Sequence, residues 1–417
     1  MRQRHALILL FVVLSTFLIT GCKSQESSNK KTIEVFSSKP ENQLVFKEFI
    51  KEFESENPDV KVVFSSPPDA GTVLRTRLVK DDIPSVIAYG GDITYTELAN
   101  VGMLEDLSTS GLADELVPAY KEMTQALQKD QSKLYGIPYA ANASGVIYNV
   151  DLFKEHQQEV PKTWDEFLAV SHYFKEHGIT PIEGTFKDSW TLMSIFNPLA
   201  GILTEPDFMR ERQEDKTTFI KGWQQPMKQL TDIMTLTQKD AMGTSYADGT
   251  QAFAKGESAM IINGTWAIPE VKKTNESINI DIFPLPASNN QSKNVVTSGV
   301  DVMFMVGKDT NHQEESKRFI KFMMDKERAT RYINDQFAFS AIKGVSQNAE
   351  TLNGISPIIE EGRVTDFIDH FVPNGYDLPS LLSEFALKQT SHPDETVKNI
   401  DDSLKTMDKS YDTANFE

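Results

Sequence analysis

Between Thr32 and Asp92 the hydrophobic pattern switches repeatedly between a period of two and a helical period. That alternation constrains the fold more than any other feature. Thr32-Ile33-Glu34-Val35-Phe36 reads as a strand, and Ser37-Ser38-Lys39-Pro40 as a turn. Val45, Phe46, Phe49, Ile50 and Phe53 then mark one face of a helix that Asn57-Pro58 stops. Val60 to Phe64 gives a second strand, and a basic, polar helical stretch follows around Thr72 to Lys80. Pro84 to Tyr89 gives a third strand, ending in Gly90-Gly91-Asp92. Strands separated by helices of this length imply βαβ units and a mainly parallel sheet, hence an α/β fold.

The pattern resumes downstream. Gly145 to Asn149 is a short strand-like run, and Thr163 and Glu166 stand at capping-box spacing at the start of a helix through Tyr173. The stretch from Trp190 to Leu236 reads as mostly helical, Ala259 to Ile262 and Val300 to Val306 as strands, and Glu314 to Met324 as an amphipathic helix. From Asp394 onward, Val397, Ile400, Leu404 and Met407 recur at helical spacing. The 417 residues fit two or three domains.

The N-terminus sets the address. Arg2 and Arg4 precede an apolar run from Ala6 to Ile19, a positive region followed by a hydrophobic one too short for a permanent span. Ile19-Thr20-Gly21-Cys22 resembles a bacterial lipobox, which implies cleavage before Cys22 and acylation of its thiol. Residues 1–21 are then a lipoprotein signal peptide, and 22–31 an acylated cysteine with a flexible, polar tether. Without the 21 leader residues, which include two of the 42 basic side chains, the chain keeps 396 residues and moves from −18 to −20. Such acidity excludes a nucleic-acid partner. A lone cysteine excludes a disulfide framework and a thiolate zinc site.

Catalytic signatures are few. No dinucleotide or P-loop glycine fingerprint, no paired-cysteine motif and no nucleophile elbow is present. No metal or cofactor is expected. What stands out is a set of polar and aromatic residues at strand ends, where open α/β sheets bind ligands. Ser38 and Lys39 follow the first strand and Asp92 the third. Asn142 precedes the Gly145 strand, and Trp266 follows the Ala259 strand. Carboxylate, ammonium, amide and flat aromatic groups suit a polyhydroxyl ligand. Asp92 also suits a helix cap, and Trp266 also suits a core.

Five segments make a family visible: Phe53-Glu54-Ser55-Glu56-Asn57-Pro58, Leu134-Tyr135-Gly136-Ile137-Pro138-Tyr139, Val146-Ile147-Tyr148-Asn149-Val150-Asp151-Leu152-Phe153, Pro161-Lys162-Thr163-Trp164-Asp165-Glu166-Phe167 and Gly256-Glu257-Ser258-Ala259-Met260-Ile261-Ile262-Asn263-Gly264-Thr265-Trp266. With them the chain resembles the family 1 extracellular solute-binding proteins of ABC transporters, the branch that includes maltose- and multiple-sugar-binding lipoproteins. The resemblance implies a two-lobed periplasmic-binding-protein-like fold of type II, with a hinged cleft between the lobes. One lobe is expected from 32–143 plus 302–348, the other from 144–301 plus 349–417. It implies ligand contacts at Ser38, Lys39, Asp92, Asn142 and Trp266, with further contacts at Asp188, Trp190, Asp301, Asn374 and Tyr376. Tyr148 and Asn149 are expected at the hinge, and Trp164 in a structural role.

The function implied is non-enzymatic capture of a di- to oligosaccharide by a monomeric, lipid-anchored receptor. It would sit on the extracytoplasmic face of the cell membrane, on a Gram-positive surface. It would deliver its sugar to permease subunits and, through them, serve the transporter ATPase. A surface lipoprotein glycoside hydrolase, or a receptor for a polyamine or phosphorylated polyol, is the alternative.

Overall fold

The computed structural model describes residues 30–39, 42–67 and 70–415. The leader, Cys22 and the tether through residue 29 lie outside the described residues. Among the described residues, ten strands form one continuous sheet. They are β1 (Lys31–Ser37), β2 (Val60–Ser65), β3 (Val86–Tyr89), β4 (Gly136–Asn149), β5 (Thr180–Glu183), β6 (Ser258–Gly264), β7 (Ile280–Phe283), β8 (Val296–Val306), β9 (Phe339–Ser340) and β10 (Val364–Thr365). The path runs β2-β1-β3-β8-β4-β6-β5, with β7 and β9 also on β4 and β10 on β8.

The N-terminal alternation is present. The helix Gln43–Glu56 buries Val45, Phe46, Phe49, Ile50 and Phe53, the five residues its period selects. Each such side chain stabilises the fold by roughly 1.5–3 kcal/mol on burial. Thr163 caps the helix Trp164–Glu176 by accepting the Glu166 amide at 3.4 Å. The last helix, Thr396–Asn415, buries Ile400, Leu404 and Met407, whereas Val397 stays exposed.

Two expectations are corrected. The sheet is mixed rather than mainly parallel: β1–β2, β1–β3, β5–β6 and β8–β10 are parallel, but every other pairing of β4 and of β8 is antiparallel. The cause is that β4 and β8 are far longer than the runs read at Gly145–Asn149 and Val300–Val306. They cross from one lobe to the other in opposite directions. Their ladder pairs Gly136 with Met305 at one end and Ser144 with Thr297 at the other. Beyond Ser144, β4 pairs with β6 and β7 instead.

Each lobe has its own core. One buried cluster gathers Ile33, Phe46, Phe53, Tyr139, Phe304, Phe319 and Tyr332. Another gathers Val146, Phe167, Phe196, Trp223, Met260 and Leu404. A third runs across both lobes through Ile87, Ala141, Ile147, Ile261 and Met303 on the crossover strands and their neighbours. We call the lobe of β1–β3 the N-lobe and that of β5–β7 the C-lobe. Tyr148 packs on Phe153 and Phe283 in the C-lobe, and Asn149 caps the helix Val150–Glu155. Both therefore lie beyond the segment where β4 changes partners, which corrects their reading as hinge residues. Trp164 is buried against Phe167, in the structural role read for it. No helix among the described residues is long and apolar enough to cross a membrane.

The C-terminal helix is fixed to the C-lobe through a buried cation. Arg212, 2% exposed, pairs with Asp408 at 3.4 Å and with Asp412, and its guanidinium lies over the Tyr411 ring at 4.3 Å. Asp408 also accepts the backbone amides of Phe219 at 2.7 Å and Ile220 at 3.2 Å. Removing its carboxylate orphans two amides and leaves the buried Arg212 to its more exposed partners Asp412 and Asp215. Asp408→Ala should therefore cost about 2–4 kcal/mol by urea denaturation. A loss under about 1 kcal/mol would mean that the contact is not a clamp.

Candidate functional site

The antiparallel ladder of β4 and β8 carries two compensating bulges. Pro138 faces Met303 and Ala140 faces Val302, so Tyr139 is extra on β4; Ala141 faces Val300, so Asp301 is extra on β8. A bulge re-aims the side chain it inserts. Tyr139 turns into the N-lobe core against Phe304 and Tyr332, both at 5.0 Å between ring centroids. Asp301 turns into a cleft of about 450 Å³ lined by Ser38, Lys39, Tyr89, Gly90, Gly91, Asp92, Asn142, Val300, Asp301 and His370.

This cleft brings together five of the ten residues read as ligand contacts: Ser38, Lys39, Asp92, Asn142 and Asp301. Lys39 and Asp301 form an ion pair, and the Asn142 amide donates to the same Asp301 oxygen at 3.0 Å. The Asn142 side-chain oxygen, Oδ1, is buried with no hydrogen-bond partner among the described residues. Asp92 caps the helix Ile93–Asn100 by accepting the Thr94 amide at 2.8 Å, and it also lines the cleft. Burial pushes its carboxyl above the usual carboxylate range, against the pull of His370 and the Thr94 amide.

His370 was missed from sequence. Its Nδ1 lies 2.8 Å from Asp366 Oδ1, and its side chain is 18% exposed. Burial disfavours the charged ring, but Asp366, with help from Asp369 and Asp92, outweighs that and raises its pKa to about 9. The ring is therefore an imidazolium at neutral pH. Only Asp366 and His370, four residues apart, hinted at such a pair, and the surrounding segment has no periodic pattern. Tyr89, at the carboxyl end of β3, was likewise passed over.

The remaining five candidates lie elsewhere. Trp266 leaves β6 and folds back over Gly264, where a Cβ would sit 2.1 Å from its ring. Because Gly264 pairs with Ser144, this places Trp266 near the middle of β4, two residues along from Asn142, partly buried against the apolar cluster that spans both lobes. Trp190, 41% exposed, packs its ring against Tyr246 at 5.0 Å. Asp188 accepts the Tyr246 amide at 2.7 Å, so it anchors the loop that presents Trp190. Asn374 donates to Glu97, a contact between the C-lobe loop and the N-lobe helix Ile93–Asn100. Tyr376 is a correction: it is 5% exposed, stacked on Phe219 in the C-lobe core, because Phe219, Tyr411 and Tyr376 together fill the space behind that loop. Among the described residues no group of three or more His, Cys, Asp or Glu side chains could hold a metal ion.

Two α/β lobes on paired crossover strands, with polar side chains converging beside the crossover, define a two-lobed ligand receptor. The chain belongs to the bacterial extracellular solute-binding proteins, whose family model matches residues 37–329. It is 30% identical over 355 residues to the multiple sugar-binding protein of Streptococcus mutans, covering 81% of this chain and 82% of that one. It is 22% identical to the melibiose/raffinose/stachyose-binding protein MelE of Bacillus subtilis over 100% of this chain and 99% of MelE. Among solved structures, the apo form of RafE from Streptococcus pneumoniae superposes with a TM-score of 0.81 at 27% identity, covering 93% of this chain and 100% of that one. RafE in complex with raffinose superposes with a TM-score of 0.75 at 26% identity, covering 91% and 99%. These relatives are binding proteins, and the family is that of extracytoplasmic receptors of ABC sugar transporters rather than enzymes.

Two measurements follow. A Cβ on Gly299 would lie 2.6–2.8 Å from Phe367, Asp366 and His370, so Gly299→Ala should lose about 1–3 kcal/mol through overpacking. An unchanged thermal midpoint would show that the segment yields freely. The His370–Asp366 pair raises the folded-state pKa of His370, so its stabilisation is full below the unfolded value of about 6.5 and is lost as pH rises through about 9. The stability advantage of wild type over His370→Gln should disappear over that window, and a constant advantage across it would refute the pairing.

Proposed function

We propose that this protein is a lipid-anchored receptor that captures a galactosyl-containing oligosaccharide of the raffinose type and hands it to an ABC permease. The observation that carries the reading is the convergence of Lys39, Asp92, Asn142, Asp301 and His370 on one cleft beside the lobe crossover. Sugar hydroxyls donate to the Asp92 carboxylate and the unpartnered Asn142 oxygen, and accept from Lys39 and His370. Tyr89 offers an apolar face to sugar C–H groups. Trp190, at the start of the helix Thr191–Leu203, and Trp266, just beyond β6, extend the surface for further sugar units. The sugars named for MelE and RafE support the choice of ligand.

The lobes are taken as 32–143 plus 302–348 and 144–301 plus 349–417. The composition of the two lobe cores supports that division, since one draws on Ile33–Ala140 and Val302–Val345 and the other on Val146–Ala287 and Ile368–Tyr411. Cys22 carries the acyl anchor, which keeps a monomeric receptor beside its permease on the outer face of the cell membrane. A glycoside hydrolase is the second reading only in the sense that two carboxylates, Asp92 and Asp301, share the cleft.

The test is titration calorimetry with raffinose, stachyose and melibiose, with product analysis on the same samples. Wild type should bind at least one of them without turnover. Asp92→Asn and Lys39→Met should each weaken binding about tenfold to a hundredfold, the worth of a charge-assisted hydrogen bond. Hydrolysis products appearing in step with protein concentration would overturn the receptor reading.

A further inference from the structure

His370 differs from the other lining groups in origin. Ser38, Lys39 and the Tyr89–Asp92 turn belong to the N-lobe, and Asn142, Val300 and Asp301 to the crossover strands. His370 comes from the short 3-10 turn Ile368–Phe371, whose first amide donates to Asn197 on the C-lobe helix Thr191–Leu203 at 3.1 Å. It is thus a polar group that a C-lobe loop brings into the cleft lining, where Asp92 of the N-lobe also lies.

Its position is determined from three sides. Asp366 Oδ1 takes Nδ1 at 2.8 Å and also accepts the Phe367 amide at 2.8 Å, which fixes the carboxylate. The Phe367 ring packs on the imidazole at 5.4 Å between centroids. Gly299 leaves the space that the ring edge occupies. With Nδ1 committed to Asp366, Nε2 is the ring's remaining hydrogen-bonding atom. Such a carboxylate–histidine arrangement orients the ring and sets which nitrogen serves the ligand.

The charges around the ring are Asp366 and Asp369 on its own segment and Asp92 of the N-lobe, while Lys39 and Asp301 pair with each other in the same lining. The Tyr120 hydroxyl, bonded to Ser298 at 2.9 Å, also feels Asp366. Each cation in the cleft therefore already has a carboxylate partner. An anionic sugar would bring its charge against Asp92 and Asp301 with no unmatched cation to receive it. A neutral sugar needs only donors and acceptors.

We propose that His370 is a specificity-determining contact that donates from Nε2 to an oxygen of a neutral sugar unit spanning from the C-lobe to Asp92, and that Asp366 is the positioning residue that holds it in this role. The inference rests on the sugar-receptor reading above. Because the ring stays charged until about pH 9, the contact is a charge-assisted donor throughout the neutral range. Losing Asp366 returns the ring toward its ordinary behaviour, with loss of charge near neutrality.

Raffinose titration of the full chain across pH tests this. Wild-type affinity should hold from about pH 6 to 8 and fall as pH passes about 9. His370→Gln should bind about tenfold more weakly at pH 7 and lack that fall. Asp366→Asn should match wild type within about threefold at pH 5.5 but fall about tenfold behind it by pH 8. Binding by His370→Gln within about twofold of wild type at pH 7, or an unmoved pH profile in Asp366→Asn, would overturn the proposal. If either variant does not fold, the His370 ring resonances of wild type decide: they should titrate near pH 9 and shift on adding raffinose, and a midpoint below about 7 or no shift counts against it. A wild type that binds none of raffinose, stachyose and melibiose would sink the sugar-receptor reading itself, and this inference with it.

Discussion

The backbone ladder between β4 and β8 is the interaction on which both lobes depend. Its bonds run antiparallel from Gly136 and Met305 to Ser144 and Thr297, and each strand continues past the ladder into a different lobe. The N-lobe sheet joins it through β3 on β8, and the C-lobe sheet through β6 and β7 on β4. Cores built on Phe46 and Phe304 on one side, and on Phe196 and Met260 on the other, can thus stay rigid while the ladder flexes between them. Hinge closure of this kind is the motion two-lobed receptors use to enclose ligands.

The cleft beside the ladder holds an unusual density of charge for so small a space. Two ion pairs, Lys39–Asp301 and His370–Asp366, accompany the half-buried Asp92. The partly exposed Lys39–Asp301 pair contributes little net stability, whereas for His370–Asp366 the attraction outweighs desolvation. Both pairs also have a geometric role. Asp301 is held by Lys39 and Asn142, and Asp92 by the start of its helix, so the groups that meet a ligand are oriented before it arrives.

Much of this was legible along the chain, and the gaps have physical causes. Periodic segments declared themselves: the five apolar residues of Gln43–Glu56 are all buried. Strand β4 was read only at its last five residues, because Gly136–Ser144 carries Pro138, three alanines and side chains buried on nearly every position. A strand covered on both faces loses the alternation that marks a strand. Lys39, Asn142 and Asp301 could be named from their places at strand ends and from the family resemblance, but their convergence across up to 262 positions is a property of the sheet order. His370 lay in an aperiodic stretch. Tyr376 sat in what read as a loop, yet it packs in a core that no local pattern reveals.

The two bulges carry one more consequence. Tyr139 and Asp301 are each a surplus residue, one per strand, and their displacements cancel within two rungs. Each bulge absorbs its own surplus by breaking the alternation locally: Tyr139 and Ala140 both pack in the N-lobe core, while Val300 and Val302, two positions apart, lie in different apolar clusters. Loss of Asp301 would therefore leave Ala140 opposite Val302 and Ala141 opposite Val300, with every rung of the ladder in place. The acid in the cleft is an addition to the sheet, one that a one-residue length change can insert or remove without inverting either lobe.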